Sequence, residues 1–461
     1  MDCSISVGRG FAALPNATAE GLTTLAAIDA ALGRLLFNQL RLGYYEPPGF
    51  VPWERIPMAA VNSPAHRALA ARAARESLVL LANNQRALPL SASALRAPGA
   101  LLVTGPNALL VPSGNYASAT DVNVTAWAGL AAALPHGAAV LAPGCTSVGG
   151  NDTSGFAAAL AAARGASAIV AVMGLDGTQE YEDNTRASLA LPGVQEQFLR
   201  ALLAAAAAGG GAPVVLVLMG GSAVAPSREV LAGVAGVVWA GYAGEEAGSA
   251  LAGALFGEFS PGGRMPFTSY ASAQDLPPYA NMSMVGLPFG RTYRYWTGPA
   301  PVWRFGDGGS YGAMAYSGLA SEPPAGAGLR PCQTLTLTVL LANAGAVDGD
   351  EVVQAYVRLL GSGAAQAPLL ALAAFARVAV RAGAPATRVA LVLPPRALAV
   401  VNASARAWEQ RPARVQVFVG GAQPRSEAEW AGPQAVELAL AGPVTRISDC
   451  PAAAQRGVYA A

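Results

Sequence analysis

The chain contains no lysine; all of its 29 basic residues are arginine. This excludes both a phosphate-loop lysine and a Schiff-base lysine. Charge of either sign is scarce, at 12% of 461 residues with a formal net charge of +1. No basic stripe exists to track a phosphate backbone, so nucleic acid is not expected as a partner. Two histidines, His66 and His136, and the lack of any Cys-x-x-Cys argue against a zinc site, and no metal or cofactor is expected. Four widely spaced cysteines (Cys3, Cys145, Cys332, Cys450) allow two disulfides, whose pairing spacing leaves open. The opening Met1-Asp-Cys-Ser is polar and lacks the basic and apolar regions of a secretory leader. The uncharged stretch 201–227 is interrupted by Gly209-Gly-Gly-Ala-Pro213, which reads as a helix, a turn and a buried strand rather than a membrane span.

Five Asn-x-Ser/Thr sequons, at Asn16, Asn123, Asn151, Asn281 and Asn402, point towards the secretory route. Residues 18–42 read as a helix capped by Thr18, with Leu22, Leu25, Ile28, Leu32 and Leu35 at helical spacing. A Pro- and aromatic-rich linker over 43–64 and a second helix over 64–82 follow. Apolar strand candidates at 100–104, 138–142, 168–173, 214–219 and 234–239 then alternate with helical stretches at 124–134, 154–164, 193–207 and 245–256. That alternation predicts an α/β domain, a mostly parallel sheet covered by helices on both faces. Ligands bind such sheets beyond the carboxyl ends of the strands, which directs attention to the loops starting at Gly105, Gly174, Gly220 and Gly241. After about 325 the pattern becomes all-β, with strands expected at 335–341, 351–359, 377–381, 388–393 and 414–419, the mark of a smaller antiparallel β-sandwich.

The loop after 168–173 is the densest in chemistry. It runs Gly174-Leu-Asp-Gly-Thr-Gln-Glu-Tyr-Glu-Asp-Asn-Thr-Arg186 and continues through Leu189-Ala-Leu-Pro-Gly-Val-Gln195. Asp176, Glu180, Glu182 and Asp183 repel one another, which favours a raised pKa on one of them, as a general acid at neutral pH requires. Composition by itself favours a solvated acidic loop capping the next helix.

The order Gly-Leu-Asp, Gln-Glu-x-Glu-x-x-x-Arg, Leu-x-Leu-Pro-Gly-x-Gln resembles glycoside hydrolase family 3, closest to its plant-type β-xylosidase/α-L-arabinofuranosidase branch. Further matches follow in the family's order. They are Arg75-Glu-Ser-Leu-Val-Leu-Leu81 with Leu88-Pro-Leu90, Gly105-Pro-Asn-Ala108, Gly114-Asn-Tyr-Ala117, Gly144-Cys145 and Gly241-Tyr-Ala-Gly-Glu-Glu-Ala-Gly248. Later come Pro261-Gly-Gly-Arg-Met-Pro266, Arg291-Thr-Tyr-Arg-Tyr-Trp296 and Phe305-Gly-Asp-Gly-Gly-Ser-Tyr311. Gly349-Asp-Glu-Val-Val-Gln-Ala-Tyr356 and Val417-Phe-Val-Gly420 resemble the family's fibronectin type III-like domain.

The resemblance implies a division into 1–48, the end of a (β/α)8 barrel; 49–96, a linker and inter-domain helix; 97–270, the α/β sandwich with the acid/base loop; 271–325, a wrapping segment; 326–445, the fibronectin type III-like sandwich; and 446–461, a tail. It implies retaining hydrolysis of terminal bonds in xylan or arabinoxylan oligosaccharides, in an extracellular or cell-wall setting for the full-length form. Glu182 falls on the acid/base position. Glu180 is the second choice, or a partner for a substrate hydroxyl; Arg186 and Tyr116 are candidate substrate-binding residues. Thr185 stands where the family has Asp, which leaves Asp183 as a substitute partner for Arg186. The motif 241–248, with Glu245 and Glu246 at a helix start, reads as structural. No full barrel fits ahead of Gly43, and Asp2 is too terminal to serve as the nucleophile. The isolated chain is therefore expected to be inactive without its barrel domain. A β-glucosidase of the same family and a non-catalytic glycan-binding module are the alternatives. A nucleotide-binding α/β protein is disfavoured, since no Gly-x-Gly-x-x-Gly follows the first sheet strand.

Overall fold

The computed structural model describes residues 11–452, apart from Pro112, Asn115, 118–121, Asp183, Thr185, Leu287, Ala365 and Gln366. Asp2, Cys3, Asn115, Asp183 and Thr185, all part of the sequence reading, lie outside the described residues. The chain divides into two units, 1–68 and 69–461.

In the first unit, the single helix expected over 18–42 is two helices, α1 (Leu14–Ala19) and α2 (Leu25–Arg41). Gly21 interrupts them at φ +70°, a left-handed turn that suits glycine. Thr24, not Thr18, caps α2, accepting from the Ala27 N–H at 3.1 Å. The Thr18 hydroxyl instead donates back to the Leu14 carbonyl. α2 buries none of its residues; Leu25, Phe37 and Leu40 are all exposed.

The helix expected over 64–82 stops early: α3 spans Pro64–Ser77, and β1 (Val79–Asn83) follows. The four successive apolar residues from Leu78 to Leu81 suit a buried strand as well as a helix, and pairing with a neighbouring strand decides the outcome. β2 (Leu101–Thr104), β3 (Ala139–Leu141), β4 (Ala168–Gly174), β5 (Val214–Met219) and β6 (Gly236–Gly241) join β1 in one sheet of order β1-β6-β5-β4-β2-β3. Every pairing is parallel except that of β1 with β6.

The alternation of side chains along each strand divides the core into two layers. Val170, Val172, Val215 and Val217 face α4 (Ala126–Ala132) and α8 (Ala247–Leu255). Ile169, Ala171, Met173, Leu216 and Leu218 face α5 (Phe156–Gly165), α6 (Gln195–Ala208) and α7 (Arg228–Gly233), the last not foreseen from sequence. Burial on both faces explains why these strands are unbroken apolar runs. The stretch 201–227 is the end of α6, a glycine turn and β5. Among the described residues no helix is long and apolar enough to cross a membrane.

The second half is a sandwich of two antiparallel sheets. β7 (Met314–Glu322), β8 (Leu335–Asn343) and β11 (Thr387–Leu393) form one, ordered β11-β8-β7. β9 (Gly349–Leu360), β10 (Ala371–Val380), β14 (Ala413–Gly420) and β15 (Ala435–Leu440) form the other, ordered β10-β9-β14-β15. β7 lies in the stretch expected to wrap between the domains, yet it pairs along its length with β8. Inward residues such as Leu337, Val339, Val353, Ala355, Val415 and Val417 fill the core between the sheets. A third small sheet, β12 (Val400–Asn402), β13 (Ala407–Gln410) and β16 (Thr445–Arg446), brings the end of the described chain back to this domain, where Cys332 and Cys450 form a disulfide. Cys145 is buried and free, so the described residues contain one disulfide rather than two.

A buried ion pair braces the sandwich against the α/β domain. The Arg264 guanidinium donates to Glu351 at 2.9 Å, to the Gly421 carbonyl at 2.9 Å and to the Gly263 carbonyl at 2.9 Å. The Tyr316 hydroxyl donates to the other oxygen of Glu351 at 2.8 Å.

Candidate active-site loop

β4 ends at Gly174, and the acidic loop leaves the sheet there. Gly174 has φ +136°, and a Cβ at this position would lie 1.8 Å from the Met219 carbonyl oxygen, so the close approach to β5 requires glycine. The base of the loop is clipped shut by Gln195, whose side chain is fully buried at the start of α6. Its amide oxygen accepts from the Gly174 N–H at 2.8 Å, while its amide N–H groups donate to the Gly174 carbonyl at 2.9 Å and the Val148 carbonyl at 2.8 Å. Asn107, equally buried in the turn after β2, donates to the Leu175 carbonyl at 2.8 Å. The motif Gly105–Ala108 thus builds the turn and also anchors the acidic loop.

Four loops meet above the carboxyl ends of β2, β4, β5 and β6, the four that the sheet rule singles out. Glu180, half-buried, is gripped from two neighbouring loops: the Gly221 N–H donates to Oε2 at 2.8 Å, the Tyr242 hydroxyl to Oε2 and the Ser222 hydroxyl to Oε1. Both carboxylate oxygens are therefore committed to the protein. Glu182 is exposed, and its partner among the described residues is the hydroxyl of Tyr116, which reaches across from the loop after β2. Asp176 turns back on its own loop and accepts from the N–H of Thr178 at 2.9 Å and its hydroxyl at 2.6 Å.

Arg186 sits behind this pair. Its Nη2 donates to Ser222 Oγ at 3.3 Å and to the Ala223 carbonyl, which ties the far arm of the loop to the segment after β5. Its Nη1 is buried and meets no partner among the described residues. Burial lowers the Arg186 pKa, while the charge of Glu180 opposes that shift. Burial, and then the hydrogen bond to Glu180, push the Tyr242 hydroxyl well above the ordinary tyrosine value, which keeps it a donor.

The sequence reading found Glu180, Glu182, Arg186 and Tyr116, and the fold brings them together. It missed Gly221, Ser222 and Tyr242: 241–248 read as structural only, and no residue of the loop starting at Gly220 was given a role. The available signal was their place: each stands one to three residues past the end of a parallel strand. Glu246 does have the structural role expected, buried at the start of α8 and accepting from the Ser249 hydroxyl at 2.9 Å. His66 and His136 are exposed and lie outside the cluster.

Comparison with known proteins places this geometry. Residues 78–311 match the model of the glycosyl hydrolase family 3 C-terminal domain, and residues 351–423 that of a fibronectin type III-like domain. A probable beta-D-xylosidase 7 from Arabidopsis thaliana is 40% identical over 295 residues, 63% of this chain and 37% of that protein. A probable exo-1,4-beta-xylosidase bxlB from Aspergillus clavatus is 32% identical over 381 residues, 79% of this chain and 48% of that protein. This chain therefore spans less than half the length of either relative. Among solved structures, a GH3 exo-beta-xylosidase (XlnD) bound to a xylobiose aziridine probe superposes with a TM-score of 0.78 at 25% identity, over 94% of this chain and 56% of that one. A β-glucosidase from Erythrobacter marinus superposes with a TM-score of 0.75 at 28% identity, over 93% of this chain and 57% of that one. With a family model covering half of its residues and an α/β sandwich followed by a fibronectin type III-like module, this chain belongs to glycoside hydrolase family 3.

Proposed function

We propose that this chain carries the general acid/base half of a retaining β-xylosidase, with Glu182 as the proton-transferring group and Glu180 as a positioning residue. The contrast between the two carboxylates carries this reading. Glu180 accepts from three protein donors, one on each of Gly221, Ser222 and Tyr242, and has little capacity left for a substrate. Glu182 is exposed at the loop tip with one phenol against one of its oxygens, free to approach a glycosidic oxygen. Arg186 and Tyr116 then serve the substrate through the loop: Arg186 holds its far arm, and Tyr116 orients Glu182.

A retaining reaction needs a second carboxyl about 5–5.5 Å away across the anomeric centre. We assign that nucleophile to a (β/α)8 barrel domain working with this chain, in line with the fraction of its relatives that the chain spans. The nucleophile attacks the anomeric carbon while Glu182 gives its proton to the leaving oxygen. Glu182, now a carboxylate, takes a proton from the water that releases the sugar from the glycosyl-enzyme. The exposed apolar side chains of α2 offer a surface for the barrel domain to cover. Within this scheme, 97–270 holds the acid/base loop and 326–445 the fibronectin type III-like support. Xylan or arabinoxylan oligosaccharides are the proposed substrates. A secreted or cell-wall location accords with exposed asparagines at four of the sequons, Asn16, Asn123, Asn151 and Asn281.

The test is hydrolysis of an aryl β-xyloside and an aryl β-glucoside by the enzyme assembled with its barrel domain. Glu182→Gln should lower kcat/KM by about 10²–10⁴-fold, the usual contribution of general acid–base catalysis. Azide should restore turnover of Glu182→Ala on a substrate with a good leaving group by replacing the water step. Preference for the glucoside would transfer the assignment to a β-glucosidase. Turnover by this chain alone, abolished in Glu182→Gln, would overturn the need for a barrel domain.

A further inference from the structure

A groove lies far along the chain from the acidic loop. Two adjoining hollows of about 450 and 400 Å³ run along the junction between 282–295 and the fibronectin type III-like sandwich. They share Arg294, Pro368, Ala399 and Trp408, so they form one groove. Their size is that of small-ligand sites. Neither shares a residue with the loops around Glu180 and Glu182.

The lining combines aromatic side chains, among them Tyr293 with one face stacked on Phe305, with two arginines that make no ion pair among the described residues. Tyr293, Tyr295 and the half-buried Trp408 supply ring surface. The Arg396 guanidinium lies 4.8 Å over the Trp408 ring. Arg294 faces both hollows, and its Nε is buried with no hydrogen-bond partner among the described residues. A buried guanidinium nitrogen without an acceptor is costly unless a ligand satisfies it. Among the described residues no aspartate or glutamate lines either hollow. Glu409, next to Trp408 in sequence, is turned away and held by Asn402 at 2.9 Å and by Arg411 at 3.0 Å.

We propose that this groove binds an oligosaccharide bearing a carboxylate, a uronic-acid-substituted glycan, with the sugar rings on Trp408 and the tyrosines and the carboxylate between Arg294 and Arg396. Guanidinium forks match carboxylates in a bidentate manner, and flat apolar ring surface accepts the C–H faces of sugars. The groove would hold a branched, acidic polysaccharide near the chain without taking part in bond cleavage. The inference does not depend on which glutamate is the acid/base.

Calorimetric titration of the whole chain with a glucuronic-acid-substituted xylooligosaccharide, and with the neutral oligosaccharide of equal length, tests it. The acidic probe should bind at least about tenfold more tightly, a difference of about 1.4 kcal/mol, and added salt should narrow the gap. Arg396→Gln, at an exposed position that leaves the fold intact, and Arg294→Gln should each remove most of the preference. Glu182→Gln should leave it unchanged. Equal affinity for the two probes, no binding of the acidic probe at about 1 mM, or a preference that survives both arginine substitutions would overturn the proposal.

Discussion

Replacing Arg264 by alanine should cost far more than its distance from the acidic loop suggests. The side chains of Arg264 and Glu351 are 8% and 4% exposed. Alanine leaves the Glu351 carboxylate with a single donor among the described residues, the Tyr316 hydroxyl, in a site that water scarcely reaches. The Gly263 carbonyl loses its guanidinium donor, whereas the Gly421 carbonyl keeps a second one from Gln354 at 2.7 Å. Breaking a buried pair in this way costs about 3–5 kcal/mol, mostly as the penalty for an uncompensated charge. At about 2.1 cal/mol/K of unfolding entropy per residue, 1 kcal/mol moves the melting temperature of the 69–461 unit by about 1.2 °C, so Arg264→Ala should melt about 4–6 °C lower. Removing both charges with apolar residues of similar volume, as in Arg264→Met with Glu351→Met, should restore most of that loss. Calorimetric melting of the two single variants and the double variant decides the matter. A shift below about 2 °C for Arg264→Ala, or a double variant as unstable as the worse single one, would refute the account of Glu351 as a charge that depends on Arg264.

Two further outcomes follow from buried groups. Gln195→Leu orphans the buried Gly174 N–H and leaves the Gly174 and Val148 carbonyls without their side-chain donor. At about 1–3 kcal/mol per unsatisfied group, stability should fall by at least about 2 kcal/mol and protease cleavage within 175–194 should accelerate; unchanged cleavage would count against the clip. Stability should also decline with alkali. Burial raises the pKa of Tyr311, Tyr316 and Tyr356 well above the ordinary value, and pushes the Cys145 thiol up to about 11. Their stabilisation is complete below the unfolded-state values, about 8.5 for cysteine and 10 for tyrosine. Above those values the unfolded chain releases protons that the folded one retains, so stability falls as pH rises. Without lysine, no ammonium group titrates in the same window. Urea midpoints that stay level from about pH 9 to 11 would contradict this.

The parts of the fold written locally were legible. β4 and β5 are apolar runs ended by glycine, and their bounds agree with expectation to within a residue. The rule that ligands sit beyond the carboxyl ends of parallel strands selected the four loops that converge. What was illegible depends on distant partners. β1 read as the tail of a helix, since only its pairing with β6 makes 79–83 extended. β7 read as a wrapping segment because it gains its identity from β8. Tyr242, Ser222 and Gly221 reach Glu180 across 41 to 62 residues of sequence, a span at which local pattern has no reach. The break between α1 and α2 was the reverse case. Gly21 was a visible local signal that a run of leucines at helical spacing outweighed.

The Gln195 clip makes the acidic loop a cassette. Because one side chain fastens both ends of 175–194 to the sheet, the tip can change in length or chemistry without moving β4 or α6. Under the proposed acid/base role, new glycan preferences could then arise by exchange of this single stretch. A foreign loop grafted between Gly174 and Gln195 would keep this base, provided it supplies partners for Ser222 and Tyr242 in place of Glu180.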